Sequence, residues 1–488
     1  MQKVFQSCDE LDRYCYEVYG LSEDILMEHA ARGMATYIQE HFRQGSTLLI
    51  VSGVGNNGAD GIALARQLHR EYDVRLSLPF GVRSKMAKQQ LTRAKAVGVK
   101  MVEVLEDADI VIDALFGAGL SRDLDDKTQS ILHRLNAFKA HKIACDIPTG
   151  VGKNGSLMPM AFKADITLTM GAYKEALFLD ESKESVGKIL RINLGIADEI
   201  YERKSSTYLL ESSDLKLPSR STLDTHKGTF GHVAVFCGEK EGAGIIAGMA
   251  ASRFGAGLTT LVVHETLSSP AWLMHSTVVP QNASAIAIGM GLGDYFERTF
   301  LQKYVIESTL PIVLDADSFS HHEILDIVKQ KEREVILTPH PKEFTVVWKY
   351  LTGEEISVAD LQKRRFEMVR KFTILYPHVT LLLKGATMLI AQGKQLYINP
   401  LGSSKLSKGG SGDVLSGLIV ALLAQGYRAI EAAIHGSIAL TLTADYYRGA
   451  SYAMLPIDLI DALEHLEASS REQKREALKS KTIKYDYE

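Results

Sequence analysis

Lys408-Gly409-Gly410-Ser411-Gly412-Asp413 runs directly into the apolar stretch Val414–Ala424. Three glycines and a serine leave consecutive backbone N–H groups uncovered, and the apolar run that follows reads as a helix. The start of a helix carries the positive pole of its dipole, so it holds anions. Asp413 falls in the first turn, where a carboxylate can take a proton from a hydroxyl attacking a phosphoryl group. The plain alternative is a tight turn with Asp413 as a cap. The company this stretch keeps decides between the two.

Upstream, Val379–Lys384, Met388–Ala391 and Gln395–Ile398 read as consecutive short strands joined by tight turns. Further strands are expected at His232–Phe236, Thr259–Val263, Ala285–Ile288, Pro311–Leu314 and Val335–Thr338, with a small-residue helix within Gly242–Gly257. The closing helices are Ala429–Asp445 and Ile457–Glu467. A sheet covered on both faces, a late meander and a glycine-rich helix start together resemble the ribokinase-like fold.

The first half alternates strand and helix in another pattern. Strands are expected at Thr47–Ser52, Val74–Pro79, Ile110–Ala114, Ile143–Asp146 and Ile166–Met170, with helices at Leu21–Glu40, Ile62–Tyr72 and Thr128–Ala140. Such alternation predicts a parallel sheet covered by helices, with ligands at the carboxyl ends of its strands. Three polar loops follow strand ends: Ser52–Gly61, Asp113–Asp123 and Asp146–Gly150. The first is not a dinucleotide fingerprint, because the spacing is wrong and no acidic residue ends the next strand. Asn57, Asp113 and Thr149 supply amide, carboxylate and hydroxyl oxygens, which suit a hard cation. Asp146 is then left for acid–base work. Singly, each aspartate is better explained as a cap or turn residue.

The 488 residues suggest at least two domains, and polar, turn-rich segments at Glu202–Ser206 and Pro218–Ser221 place a boundary between residues 208 and 209. The net charge of −4 argues against a nucleic-acid partner. Four scattered cysteines suit a reducing cytoplasm. No apolar run reaches the roughly 18–20 residues needed to span a bilayer, so no membrane role is expected. The charged tail Arg471–Lys481 reads as a solvated helix end.

The loops of the first half resemble those of the NAD(P)HX epimerase domain, and the likeness continues through Ala164–Thr167 and Gly171–Lys174. The resemblance implies interconversion of the R and S epimers of hydrated NADH and NADPH. It implies substrate contacts at Asn56, Asn57, Gly58, Ala59 and Asp60, and at Gly117, Ala118, Gly119, Leu120, Ser121, Arg122 and Asp123. It further implies potassium at Asn57, Asp113 and Thr149, and Asp146 as the substrate-contacting acid–base residue. Ala59 departs from a family glycine, Thr149 from serine, and His29 from asparagine.

The second half is similar to the ADP-dependent NAD(P)HX dehydratase domain. The likeness rests on His226–Gly231, Gly255–Leu258, Gly289–Gly293, Asp315–Asp317, Thr338–Pro341, Lys384–Thr387 and Gly409–Asp413, in family order. It implies hydrate contacts at Ala256, Gly291, His340 and Asp413, and adenine-nucleotide contacts at Lys384, Gly385, Ala386, Thr387, Met388 and Gly412. Met290 and Lys342 replace a family proline and glycine, and Lys405 and Lys408 make the 402–408 loop more basic.

The expected architecture is therefore α/β throughout. An N-terminal three-layer Rossmann-like domain (residues 1–208) precedes a C-terminal ribokinase-like domain (residues 209–488). ADP as phosphoryl donor, K+ and a nucleotide-associated Mg2+ without assigned ligands are the expected cofactors. A cytoplasmic homo-oligomer acting on NAD(P)HX is expected. The rival reading is a ribokinase-like small-molecule kinase with a non-catalytic N-terminal binding module. It leaves the joint presence of Asn57, Asp113, Asp146 and Thr149 unexplained.

Overall fold

The computed structural model describes residues 1–265 and 267–467. The charged stretch 471–481 lies outside them. The chain forms two compact units, one spanning Gln2–Thr207 and one beginning at Tyr208.

The first unit is built on β2 (Thr47–Ser52), β3 (Asp73–Ser77), β4 (Lys100–Met101), β5 (Ile110–Ala114), β6 (His141–Cys145), β7 (Ile166–Met170) and β9 (Lys188–Ile192). They lie in the order β4-β3-β2-β5-β6-β7-β9, with every pair parallel. A short parallel pair joins β1 (Gln2–Phe5) to β8 (Tyr173–Lys174). Side chains alternate across a strand. Leu48 and Ile50 therefore enter one core, with helices Glu23–His41 and Asn56–Leu68. Leu49 and Val51 enter the other, with helix Asp126–Ala137. Burial on both faces is why β2 reads as a continuous apolar run. This is the expected three-layer arrangement.

The second unit carries β10 (Thr207–Leu209), β11 (His232–Phe236), β12 (Leu258–Val262), β13 (Met274–Ser276), β14 (Ala285–Ile288), β15 (Ile312–Leu314), β16 (Val335–Leu337), β17 (Thr380–Leu383), β18 (Met388–Gln392) and β19 (Gln395–Asn399). The order is β13-β12-β11-β14-β15-β16-β17-β18-β19-β10. Pairing is parallel up to β17 and antiparallel in the β17-β18-β19 meander. Helix Ser411–Ala424 is buried along its length from Val414 onward, among helices Glu241–Arg253 and Ala429–Tyr446. Burying each leucine or isoleucine there contributes about 1.5–3 kcal/mol, which fixes the glycine-rich end of the helix against the sheet. The ribokinase-like reading holds.

Two helices begin earlier than the apolar pattern suggests. Asn56–Gly61 forms the first turns of helix Asn56–Leu68, and Gly412 and Asp413 are already helical. Among the described residues no helix is long and apolar enough to cross a membrane.

Candidate active sites

In the first unit the strand order reverses between β2 and β5. The loops that follow these strands meet there, as the rule for open α/β sheets requires. Their contact is close because Gly53 has no side chain: a Cβ on it would sit 1.8 Å from the Leu115 carbonyl oxygen. Gly58 serves the same purpose, since a Cβ there would sit 1.9 Å from the Gly53 carbonyl oxygen. A cleft of about 580 Å³ opens at this point, lined by Asn56, Asn57, Asp60, Gly117, Ala118, Gly119, Leu120, Ser121, Arg122 and Asp146. Gly58 and Ala59 are buried in the helix packing, and Asp123 is exposed; none of the three is among the lining residues.

Asp113 and Thr149 lie beneath this cleft, both fully buried. The Thr149 hydroxyl donates to Asp113 Oδ1 at 2.7 Å, and the Thr149 N–H donates to Oδ2 at 2.7 Å. Burial pushes the Asp113 carboxyl up to about 6, against the hydrogen bonds from Thr149 and Leu115. The amide Oδ1 and Nδ2 of Asn57 are buried without a hydrogen-bond partner. A Cβ on Gly117 would lie 3.1 Å from that Oδ1, and Phe116 N–H donates to Thr149 Oγ1 at 2.9 Å. The three residues thus converge on one loop. A buried amide oxygen with no donor costs free energy unless something supplies positive charge. This donor set fits an oxygen-seeking cation.

Asp146 follows β6 with a positive φ of 66°. Aspartate tolerates this region better than most residues, and such strain concentrates at functional sites. Its Oδ1 accepts from Lys174 Nζ at 2.7 Å, from Met170 N–H at 3.0 Å and from Thr169 Oγ1 at 3.3 Å. Lys174 is buried and also donates to the Met170 carbonyl at 2.9 Å. Burial disfavours its ammonium, but the neighbouring charges, Asp146 first, hold its pKa above the usual lysine range. Sequence reasoning gave Lys174 no role, although a lone lysine after the uncharged stretch Ile166–Tyr173 was a usable signal. Cys8, Asp9 and Asp12 also line the cleft, and no sequence pattern pointed to them.

In the second unit, Asp315, His340 and Lys384 follow the adjacent strands β15, β16 and β17. Lys384 Nζ donates to Asp315 Oδ1 at 2.7 Å and lies 3.9 Å from Glu343 Oε2. Ser416 Oγ, inside the buried helix, donates to Asp315 Oδ2 at 2.8 Å. A Cβ on Gly412 would lie 3.5 Å from Lys384 Nζ and 3.9 Å from Asp315 Oδ2. The glycine-rich helix start and the strand ends therefore meet. Burial, reinforced by the charges of Asp315 and Asp317 and opposed by Lys384, pushes Asp413 up to about 6. Asp317 accepts from Gly293 N–H at 3.1 Å and so joins the Gly291 loop to the cluster.

The run 384–388, where nucleotide contacts are expected, is shaped from behind. Arg365, fully buried, donates to the carbonyls of Leu383, Lys384 and Thr387 at 3.3, 3.0 and 2.9 Å. Gly385 and Ala386 reach the surface, while Thr387 and Met388 are buried. His340 caps helix Pro341–Thr352: its Nδ1 accepts from Lys342 and Glu343 N–H at 3.1 and 3.2 Å. Its Nε2 is 3.2 Å from Glu343 Oε1. Sequence reasoning missed Arg365 and Glu343 and left Asp315 without a role.

One expected contact is displaced. Ala256 sits at the far end of the buried helix, where Gln425 Nε2 donates to the Phe254 carbonyl at 3.4 Å. Gly231, next to the His226–Phe230 segment, packs on the Ala424 carbonyl at that same end. From Asp413 to Ala424 the helix rises about 16 Å at 1.5 Å per residue. Ala243 approaches Gly291 instead, with its Cβ 3.2 Å from where a Gly291 Cβ would stand. Lys405 and Lys408 are also occupied: their Nζ atoms donate to the carbonyls of Ala444, Tyr447 and Tyr452 at 3.0, 3.2 and 3.0 Å. They brace the 402–408 loop.

The family described as NAD(P)H-hydrate dehydratase matches residues 233–465, and that described as YjeF-related protein N-terminus matches residues 23–176. The bifunctional NAD(P)H-hydrate repair enzyme of Helicobacter pylori is 39% identical over 477 residues, covering 96% of this chain and all of that one. The enzyme of the same name from Dictyoglomus turgidum is 31% identical, covering 86% of this chain and 88% of its own. An ADP/ATP-dependent NAD(P)H-hydrate dehydratase from Bacillus subtilis, co-crystallized with ATP/Mg2+, is 26% identical, covering 53% of this chain and 96% of that one with a TM-score of 0.44. With the two curated relatives matching over both units, the chain belongs to the family of bifunctional NAD(P)H-hydrate repair enzymes.

Proposed function

We propose that the N-terminal unit interconverts the R and S epimers of NAD(P)HX and that the C-terminal unit dehydrates the S epimer, with ADP as phosphoryl donor. The observation that carries this reading is that the first unit pairs Asp146 with Lys174 at its strand ends, while the second brings the glycine-rich helix start that carries Asp413 against Lys384. The direct test is return of the near-ultraviolet absorbance of reduced nicotinamide when purified S-hydrate and ADP are added.

Hydroxide is a poor leaving group from C6 of the hydrated ring. Asp413 takes the hydroxyl proton as the oxygen attacks the terminal phosphoryl group of ADP, whose phosphoanhydride bond breaks with AMP as the leaving group. The N–H groups of Gly409, Gly410 and Gly412 face the phosphoryl oxygens; that of Ser411 already donates to the Lys408 carbonyl at 3.3 Å. The C6–O bond then breaks with phosphate as the leaving group, C5 gives its proton to solvent as the C5=C6 bond forms, and the dihydropyridine ring is restored. Gly409 has open space at its Cα, which leaves room for the nucleotide. Among the described residues no group of three His, Cys, Asp or Glu is arranged to hold a metal ion.

Asp413 must be ionised to act as the base. Its carboxyl sits at about 6, so kcat/KM for dehydration should fall about tenfold per pH unit below that value. A profile flat down to pH 4 would remove Asp413 from the role.

In the first unit Asp146 exchanges a proton with the C6 hydroxyl as that bond opens and recloses. Asn57, Asp113 and Thr149 are the residues proposed to hold K+, which supplies fixed positive charge beneath the cleft. Potassium at about 100 times its dissociation constant should stabilise this unit by about 2.7 kcal/mol. A thermal unfolding midpoint equal in KCl and tetramethylammonium chloride would exclude the site, and Asn57→Ala should abolish the difference.

A further inference from the structure

Four carboxylates, Asp9, Asp12, Asp60 and Asp146, line the N-terminal cleft, together with the buried ammonium of Lys174. Their surroundings differ. Asp146 Oδ1 receives three donors, Lys174, Met170 N–H and Thr169. Asp12 accepts from the Tyr201 hydroxyl at 2.7 Å. Asp60 lies one helical turn beyond Asn57 in helix Asn56–Leu68, and no hydrogen bond or ion pair among the described residues reaches its carboxyl. A desolvated carboxyl without donors, set among other carboxylates, favours its protonated form. Burial, then the charges of Asp146, Asp12 and Glu23, opposed by Lys174, push Asp60 well above the usual carboxylate range.

Epimerisation at C6 requires the hydroxyl to leave from one face of the ring and return on the other. A carboxylate fixed on one side is well placed for only one of those events, and a second acid–base group would assist the other. We propose that Asp60 is a second catalytic acid–base residue of the epimerisation, with Asp60 and Asp146 serving opposite faces of the hydrated ring. This rests on the epimerase reading of the cleft.

The step balances without a co-reactant. Protonated Asp60 gives its proton to the departing C6 oxygen, which leaves as water while the N1 lone pair forms the N1=C6 bond. Water then adds to C6 from the other face, the N1=C6 electrons return to nitrogen, and Asp146 takes the released proton. Proton exchange with solvent resets the pair, and the opposite epimer runs the same sequence backwards.

The experiment uses the full chain without nucleotide, so that dehydration does not drain the substrate. Purified R-hydrate in ¹⁸O-water is followed for S-hydrate formation and for ¹⁸O at C6. Asp60→Asn should slow both by about 10²–10⁴-fold. NAD(P)HX binding should stay within about threefold of the parent, and the unfolding midpoint should not fall. Asp60→Glu should recover part of the rate. Interconversion by Asp60→Asn near the parent rate overturns the proposal. So does a binding loss that accounts for the whole rate loss, which would leave Asp60 a positioning residue. A parent chain that does not interconvert the epimers overturns the epimerase reading and this proposal together.

Discussion

Asp413→Asn should slow S-hydrate dehydration by about 10²–10⁴-fold, the usual cost of removing a general base. Asparagine keeps the shape of the side chain but cannot accept the hydroxyl proton. The stability change should have the opposite sign. The folded-state carboxyl is raised to about 6 by burial and by Asp315 and Asp317, so its ionised form is disfavoured by folding. Above that pH the charge weakens the native state, and a neutral amide removes the penalty. The unfolding midpoint at neutral pH should therefore hold or rise while activity collapses. Near-parent dehydration by this variant would falsify the assignment; a midpoint that falls with activity would instead mark Asp413 as structural.

Lys174→Met should destabilise the first unit by about 3–5 kcal/mol, the range for breaking a buried ion pair from one side. Lys174 and Asp146 are 4% and 15% exposed and 2.7 Å apart, so solvent offers little compensation. The loss also strands the hydrogen-bond acceptors of Thr169 and Met170. Epimerisation should disappear, while dehydration of purified S-hydrate should continue. Combining Lys174→Met with Asp146→Asn should recover part of the stability, because no uncompensated charge is then buried. Denaturant unfolding measures both variants. A single-variant loss below about 1 kcal/mol, the level of an exposed pair, would contradict the ion-pair account.

Elements whose pattern is set by burial were legible in the sequence. β2, β5, β7, β11 and β14 have the bounds read from their apolar runs, because both faces of each are covered. Elements without such a run were missed. β4 is two exposed residues, Lys100 and Met101, and β9 mixes Lys188 and Arg191 with Ile189 and Leu190. Helix Lys85–Ala96 is mostly polar and is announced by its cap, where Ser84 Oγ accepts from Ala87 N–H at 3.0 Å.

The candidate sites divide in the same way. Asn57, Asp113, Thr149 and Asp146 stand at strand ends, so topology predicts their convergence. Lys174 acts through Asp146, 28 residues away, and Arg365 through carbonyls 18 to 22 residues away, and no local pattern encodes such pairings. Ala256 was misplaced because a motif fixes order along the chain but not which end of a helix it reaches. The alanine near Gly291 is Ala243, at the other end of helix Glu241–Arg253.

The most direct test gives the parent, Asp146→Asn and Asp413→Asn the same mixture of R- and S-hydrates with ADP, and follows the absorbance of reduced nicotinamide. The parent should convert the whole mixture, and Asp413→Asn should convert it about 10²–10⁴-fold more slowly while still interconverting the epimers. Asp146→Asn should consume the S portion at the parent rate and then slow to the spontaneous epimerisation rate. Complete conversion by Asp146→Asn at the parent rate, or rapid conversion by Asp413→Asn, would contradict the assignment of one chemistry to each unit.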